Sequence, residues 1–494
     1  MKRAALAIGL ALLLAAPAAL PDPPAQSASS PDSPDRVSEL DAAVRAVASD
    51  RALEGAAIGV AIIDVESGRV LAAVNEHLAL NPASNAKLYT AGAALATLHG
   101  EHRYETTLTG KLESEGGGSS ATVISGPLAI RGFGDPSLTT ADLWAMVQDL
   151  KSYGVKRVDG DIVVDQRFFD EQTTPPAFDQ QANEWSSFRA PVSAVAIDEN
   201  CVTLTVRPGP AGGGARYEFD PPGFVDADGA IKTADPGAAD NVELALSGNG
   251  SRMAAHVSGA IASDSRVVRY TRRSEDPRLL AGFALKALLE RADVRVTGDV
   301  KLGTARGHTL ARHLSEPLSS LLYALGKQSD NFYAEMIYKS LAGEAKGRPA
   351  KAGDASEVVT QWLDRVGAGD AGVVVKNGSG LFDANRVTAQ SVVGVLRWAW
   401  RDPSVGPEYV AQLSVGGVDG TLHKRFRQEA TKRRVRAKTG TLDDVIALSG
   451  YVLRDGGRGP LAFSILFNRV AGKQDRARRA ADKLVEHVAH YAMK

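Results

Sequence analysis

Apolar residues run from Ala57 to Asp64 with the alternation of a strand. Glu66-Ser67-Gly68-Arg69 has turn composition, and Val70 to Val74 reads as the returning strand of a hairpin. Leu88, Ala91, Leu95 and Leu98 then recur at helical spacing, which predicts a helix from about Asn85 to His99 with Gly100 as its stop. From about Thr106 to Thr271 the texture becomes β-rich. Short alternating runs fall at Ala121 to Ile130, Val158 to Asp165, Val202 to Val206, Val242 to Leu246 and Val267 to Tyr270. Gly-rich breaks separate them, Gly116-Gly117-Gly118-Ser119-Ser120 among them, and only Thr140 to Tyr153 reads as a helix.

Helical spacing returns at Asp276, which reads as a cap with Pro277 at the first helical position and Leu279, Phe283 and Ala287 on one face. Further helices are expected at Leu318 to Leu325, Phe332 to Leu341, Glu357 to Val366 and Thr388 to Trp400. Three strand candidates follow, Arg434 to Lys438, Val445 to Leu453 and Leu461 to Phe467, before a last helix from about Gln474 to Ala492. A sheet made from these strands and the first hairpin would join both chain ends in one domain. The expected class is therefore α+β, with a main domain from 37–105 and 276–494 and a β-rich insertion at 106–275.

The first residues have a different character. Met1-Lys2-Arg3 is followed by an uncharged apolar run and by Ala16-Pro17-Ala18, the pattern of a secretory signal. Residues 1–28 are read as that signal and 29–36, rich in Pro, Ser, Asp and Ala, as a linker. This places the mature protein in the periplasm or cell envelope. With 57 Lys+Arg against 58 Asp+Glu, the net charge of −1 argues against a nucleic-acid partner. The single cysteine, Cys201, excludes an intrachain disulfide and any multi-cysteine metal site, and neither a metal nor another cofactor is expected. The basic run from Lys424 to Lys438 reads as a solvated strand edge, with a mild field toward wall carboxylates as the alternative.

Three short motifs carry the candidate chemistry. Ser84-Asn85-Ala86-Lys87 opens the first helix, and Ser84 is the one serine followed by lysine at the third position. Residues i and i+3 share a helix face, so the amine can sit beside the hydroxyl. Leu88 and Ala91 on that side imply burial, which lowers a lysine pKa and leaves a neutral amine able to take the serine proton. A capping serine with a solvated lysine is the competing reading. Ser329-Asp330-Asn331 begins a later helix and can equally be a cap. Ser247-Gly248-Asn249 matches the same spacing and reads as a turn. Lys438-Thr439-Gly440-Thr441 ends a strand, where a lysine, two hydroxyls and open backbone can hold an extended anionic peptide end.

The order Ser-x-x-Lys, Ser-x-Asn, Lys-Thr-Gly resembles the penicillin-recognising serine enzymes. The long gap between Ser84 and Ser329 resembles one family in particular, the class C low-molecular-mass penicillin-binding proteins of peptidase family S13. Gly132-Phe133-Gly134-Asp135-Pro136-Ser137-Leu138, Ser329 to Glu335, Gly378-Ser379-Gly380-Leu381 and Asp419-Gly420-Thr421-Leu422 are similar to segments of that family. Two departures stand out: Asn377 where the family usually has Asp, and Phe382-Asp383 where it commonly has Ser-Arg.

The resemblance implies a β-lactamase/DD-peptidase-like fold and a D-Ala-D-Ala carboxypeptidase/endopeptidase that β-lactams acylate. It implies Ser84 as nucleophile, Lys87 as base, Ser329 and Lys438 as a proton relay, and Asn331 as holder of Lys87 and the substrate amide. Thr439, Gly440 and Thr441 would bind the terminal carboxylate, and Ser379, Gly380 and Leu381 would lie near the substrate side chain. Asp165 is a candidate partner for a free side-chain amine, a strand-end carboxylate being the alternative. The partners are then peptidoglycan peptides ending in D-Ala-D-Ala or cross-linked, and β-lactams, with peripheral membrane contact left open. A serine β-lactamase and a non-catalytic wall-binding protein are the competing functions.

Overall fold

The computed structural model describes residues 34–114 and 122–493. The expected signal peptide and the Gly116–Ser120 break lie outside them. The linker expected to reach residue 36 ends sooner, because helix α1 (Pro34–Ala48) has already begun.

One sheet organises the main domain. Its strands are β1 (Ala57–Asp64), β2 (Val70–Val74), β3 (Ser414–Val415), β4 (Val435–Leu442), β5 (Val445–Val452) and β6 (Leu461–Asn468), in the order β2-β1-β6-β5-β4-β3. Every pairing is antiparallel, and β1 against β6 joins the two ends of the chain. Every residue of β1 is buried, so its alternation is not the inside–outside pattern of a half-exposed strand. Ile58, Val60 and Ile62 face α1 and α4 (Gln474–Met493). Ala57, Ala61 and Ile63 face the other layer. That layer holds α2 (Ala86–Leu98), α3 (Asn331–Ala345) and the helices Ala352–Arg365 and Ala389–Arg401. Two covered faces explain why the strands read as nearly continuous apolar runs.

The insertion is longer than its composition suggests. Helix Leu280–Arg291 and the strands Arg295–Val296, Val300–Leu302 and His308–Leu314 do not belong to the main domain. These strands pair with Val155–Asp159, Ile162–Asp165 and Glu105–Gly110, and the helix packs in the same core. The chain thus returns to the main domain near residue 315 rather than at 276. A further small core (Leu204, Val206, Ile231, Val257, Ile261) lies under the sheets of the 201–273 region.

Several local expectations shift for identifiable reasons. Asp276 does not cap a helix: its carboxylate takes the backbone N–H and guanidinium of Arg278, and the helix starts at Leu280. The buried stripe there is Leu280, Ala281, Ala284, Leu285 and Leu288, with Leu279, Phe283 and Ala287 at its margin. The reversal after α2 occurs at His99, with φ +66°, one residue before Gly100. Residues 158–165 form two strands, Val155–Asp159 and Ile162–Asp165, and 122–132 likewise divides into Thr122–Ser125 and Leu128–Gly132. Ser247-Gly248-Asn249 lies within strand Glu243–Asn249, not in a turn.

Candidate active site

Ser84 sits in a single 3-10 turn, Ala83–Asn85, that leads into α2. Ala83 has φ +45°, a conformation that a non-glycine residue adopts only under constraint. The constraint is visible: Ala83 N–H donates to Asn81 Oδ1 (2.9 Å), and Asn81 exchanges two bonds with Asn468 at the end of β6. Two glycines come close to this turn. A Cβ on Gly440 would lie 2.8 Å from Pro82 O and 3.0 Å from Ala83 Cβ. A Cβ on Gly380, at φ +75°, would lie 1.8 Å from Ala83 O. The glycines of both motifs therefore let strand β4 and the 378–380 loop pass against the backbone that presents Ser84.

Lys87 is fully buried on the next turn. Its Nζ lies 3.0 Å from Ser84 Oγ, 2.7 Å from Asn331 Oδ1 and 2.8 Å from the Ser379 carbonyl oxygen. Burial drags its pKa down to about 7, against smaller upward pulls from Asp330 and Glu335. The solvated-lysine reading is thereby excluded, and so is the capping one, since no side chain caps α2. Asp330 caps α3 through Tyr333 N–H (2.9 Å), which leaves Ser329 and Asn331 free of that task. Ser329 has φ +63°, and its hydroxyl accepts from Lys438 Nζ (2.7 Å). Lys438 is also fully buried. Burial, and then the charge of Lys87, push its pKa well below the ordinary lysine value.

Strand β4 continues through the Lys-Thr-Gly motif to Leu442 instead of ending at it. Its neighbour β3 pairs only as far as Ala437, so the edge from Lys438 onward is open. Thr439 donates its hydroxyl to that of Thr421 (2.9 Å), and Thr441 lines a cleft of about 820 Å³ together with Leu381, Phe382, Asp383 and Asp443.

The insertion supplies part of this site, which the sequence reading missed. Asn331 Nδ2 donates to the Phe188 carbonyl (3.0 Å), Asn377 Nδ2 to that of Pro176 (3.0 Å), and Lys339 Nζ to that of Gln172 (2.6 Å). Phe178 meets Phe382 edge-on at 5.8 Å, and Phe188 stands 44% exposed at the cleft. Backbone carbonyls leave no trace in residue identity.

Not every expected residue faces the cleft. Ser379 and Gly380 are buried, and only Leu381 of that loop lines it. The Ser379 hydroxyl is used internally, accepting from Leu381 N–H (3.2 Å). Asp165 is 1% exposed and occupied on both oxygens by Arg167 (2.9 and 2.8 Å), with Ala305 N–H at 2.9 Å. Burial opposes its charge, but these bonds outweigh it and hold the carboxyl below its ordinary value. Asp165 thus stands at the end of strand Ile162–Asp165 with both oxygens hydrogen-bonded within the protein. The departure at Asn377 is explained by its bonds: its amide donates to Pro176 O and Leu381 O, while its oxygen accepts from Gly380 N–H and Asn385 Nδ2. An aspartate lacks the two donors.

Among the described residues no cluster of three His, Cys, Asp or Glu is placed to hold a metal, and no helix is long and apolar enough to cross a membrane.

An antiparallel sheet covered on both faces, with a serine–lysine helix start beneath an open strand edge, defines the β-lactamase/DD-peptidase-like class of α+β folds. The D-Ala-D-Ala carboxypeptidase 3 (S13) family matches residues 40–490, and the chain belongs to that family. A D-alanyl-D-alanine carboxypeptidase of Actinomadura sp. (strain R39) is 34% identical over 92% of this chain and 86% of its own length. D-alanyl-D-alanine carboxypeptidase DacB of Haemophilus influenzae is 26% identical over 81% of this chain and 83% of its own. The fold is shared with crystalline penicillin binding protein 4 of H. influenzae: TM-score 0.72, 24% identity, 92% of this chain and 97% of that one.

Proposed function

We propose that this chain is an exported serine-type D-alanyl-D-alanine carboxypeptidase and DD-endopeptidase that acts on peptidoglycan stem peptides and is acylated by penicillins. One observation carries the reading: Lys87 Nζ is buried within 3.0 Å of Ser84 Oγ while Asn331 Oδ1 and the Ser379 carbonyl stand at 2.7 and 2.8 Å. A neutral amine has two N–H bonds and one lone pair. The two fixed acceptors take the N–H bonds, so the lone pair is directed at the Ser84 hydroxyl.

Ser84 then attacks the carbonyl of the penultimate D-alanine, and Lys87 takes its proton. Ser329 and Lys438, joined at 2.7 Å, return a proton to the leaving D-alanine nitrogen. Water releases the shortened peptide from the acyl-enzyme. Thr439 and Thr441 hold the terminal carboxylate. Its negative charge offsets the burial penalty on Lys438 and favours the ammonium, so binding the correct end also charges the lysine. Backbone N–H groups of Ser84 and Thr441 serve the oxyanion, an effect worth a few kcal/mol per donor (~3). A cross-linked peptide differs only on the leaving-group side of the scissile bond, so the same acyl-transfer steps cleave it. The signal-like start supports a site of action in the periplasm or envelope.

The test is incubation with a fluorescent penicillin and mass mapping of the adduct. Label on Ser84, lost in Ser84→Ala together with D-alanine release, is the expected result. Persistent label on another serine rejects the assignment.

A further inference from the structure

The Ser379 carbonyl can fix the Lys87 amine only if the loop that carries it is itself fixed. Glu335 stands one turn after Asn331 on α3, on the same face. It is buried (3% exposed), and its two oxygens accept the backbone N–H groups of Gly378 (3.1 Å) and Ser379 (2.8 Å). From α2, the Thr90 hydroxyl donates to the Gly378 carbonyl (2.7 Å). The loop is thus held from both helices, and its Ser379 carbonyl is directed at Lys87. A buried carboxylate is costly unless its oxygens are occupied. Here burial raises the Glu335 pKa, and the Ser379 hydroxyl, the two N–H groups and Lys87 work against that rise.

Building on the acyl-enzyme reading above, we propose that Glu335 is a positioning residue for acylation. Its carboxylate clamps the 378–380 loop so that the Ser379 carbonyl takes one N–H of Lys87 and leaves the lone pair to Ser84. Asn331 takes the other N–H, and its own amide is oriented by the Phe188 carbonyl. Glu335 also acts at a distance through charge. The charged groups that act on Lys87 are Asp330 at the cap of α3, Glu335 within α3 and Lys438 from β4. The two carboxylates favour the ammonium and Lys438 opposes it.

The experiment measures acylation by a fluorescent penicillin against pH for the full mature chain, Glu335→Gln and Thr90→Val. Rates are normalised to the titrated competent fraction. Glu335→Gln keeps one acceptor but sets an N–H₂ against a backbone N–H and removes the charge. Its plateau rate falls about 10- to 100-fold, the scale of a misplaced catalytic group. Its acid midpoint moves to lower pH, because the ammonium of Lys87 has lost a stabilising anion. Thr90→Val loosens the same loop without changing charge, so its plateau falls while its midpoint stays. Thr90→Val still decides the matter should Glu335→Gln not fold. Parental rates in both variants, or a slower Glu335→Gln with an unmoved midpoint, overturn the proposal. A parent chain that is not acylated at Ser84 instead rejects the function on which it rests.

Discussion

The buried Lys87 makes the pH dependence of acylation a direct reading of the site. An ordinary lysine titrates near 10.5, whereas burial brings this one to about 7. At about 1.4 kcal/mol per pH unit, that difference means the site as a whole, burial less the pull of the two carboxylates, disfavours the ammonium by roughly 5 kcal/mol. Only the neutral amine can accept the Ser84 proton. Raising the pH through 7 therefore turns acylation on, and lowering it turns acylation off. The neutral share is about half at pH 7, ~10% at pH 6 and ~1% at pH 5, so the rate should fall about tenfold per unit below 7. A solvated lysine would give well under ~0.1% neutral amine at pH 7 and a rise continuing beyond pH 10. Stopped-flow acylation with a fluorescent penicillin between pH 4.5 and 9 measures the midpoint. Lys87→Ala, assayed in parallel, should be slower by ~10²–10⁴ and lack that limb, as removal of a general base requires. A parent profile flat from pH 5 to 8, or a midpoint above 9, refutes the reasoning.

Gly380→Ala places a methyl 1.8 Å from Ala83 O at φ +75°, so the Ser84 turn must shift. Acylation should drop ~100-fold or more, measured by adduct formation, with Gly440→Ala milder because its nearest contact is 2.8 Å. Asn377→Asp loses two donated bonds and buries a carboxylate at 0% exposure. Calorimetry should show a loss of about 2–4 kcal/mol in stability, and an unchanged melting point would contradict the bond pattern. Asp165→Asn should leave the preference for a free over an acetylated side-chain amine unchanged, as judged from kcat/KM for the two peptides. A selective loss for the free amine would restore Asp165 to the binding site.

Local features of the site were legible in the sequence because they depend on short-range geometry. Three residues of helix suffice to set Lys87 beside Ser84, and the apolar run of β6 had to be a covered strand wherever it was placed. The expected sheet of the first hairpin and the last strands is present, with β1 paired to β6. What the tertiary structure decided were contacts whose partners lie far apart and carry no signature. Glu335 reads as an acid on a helix until the 378–380 loop is laid over it, and Phe188 contributes a carbonyl that any residue possesses. Asp165 is held partly by a near neighbour, Arg167, whose guanidinium folds back on both its oxygens, and partly by Ala305, 140 residues on, whose N–H only the tertiary structure brings to it. The helix at 280–291 kept neither the expected face nor the expected domain: its buried stripe runs through Leu280, Ala284 and Leu288 and packs in the core of the insertion. Burial is likewise a property of the assembled layers, and it alone turns Lys87 from a surface cation into a base near neutral pH.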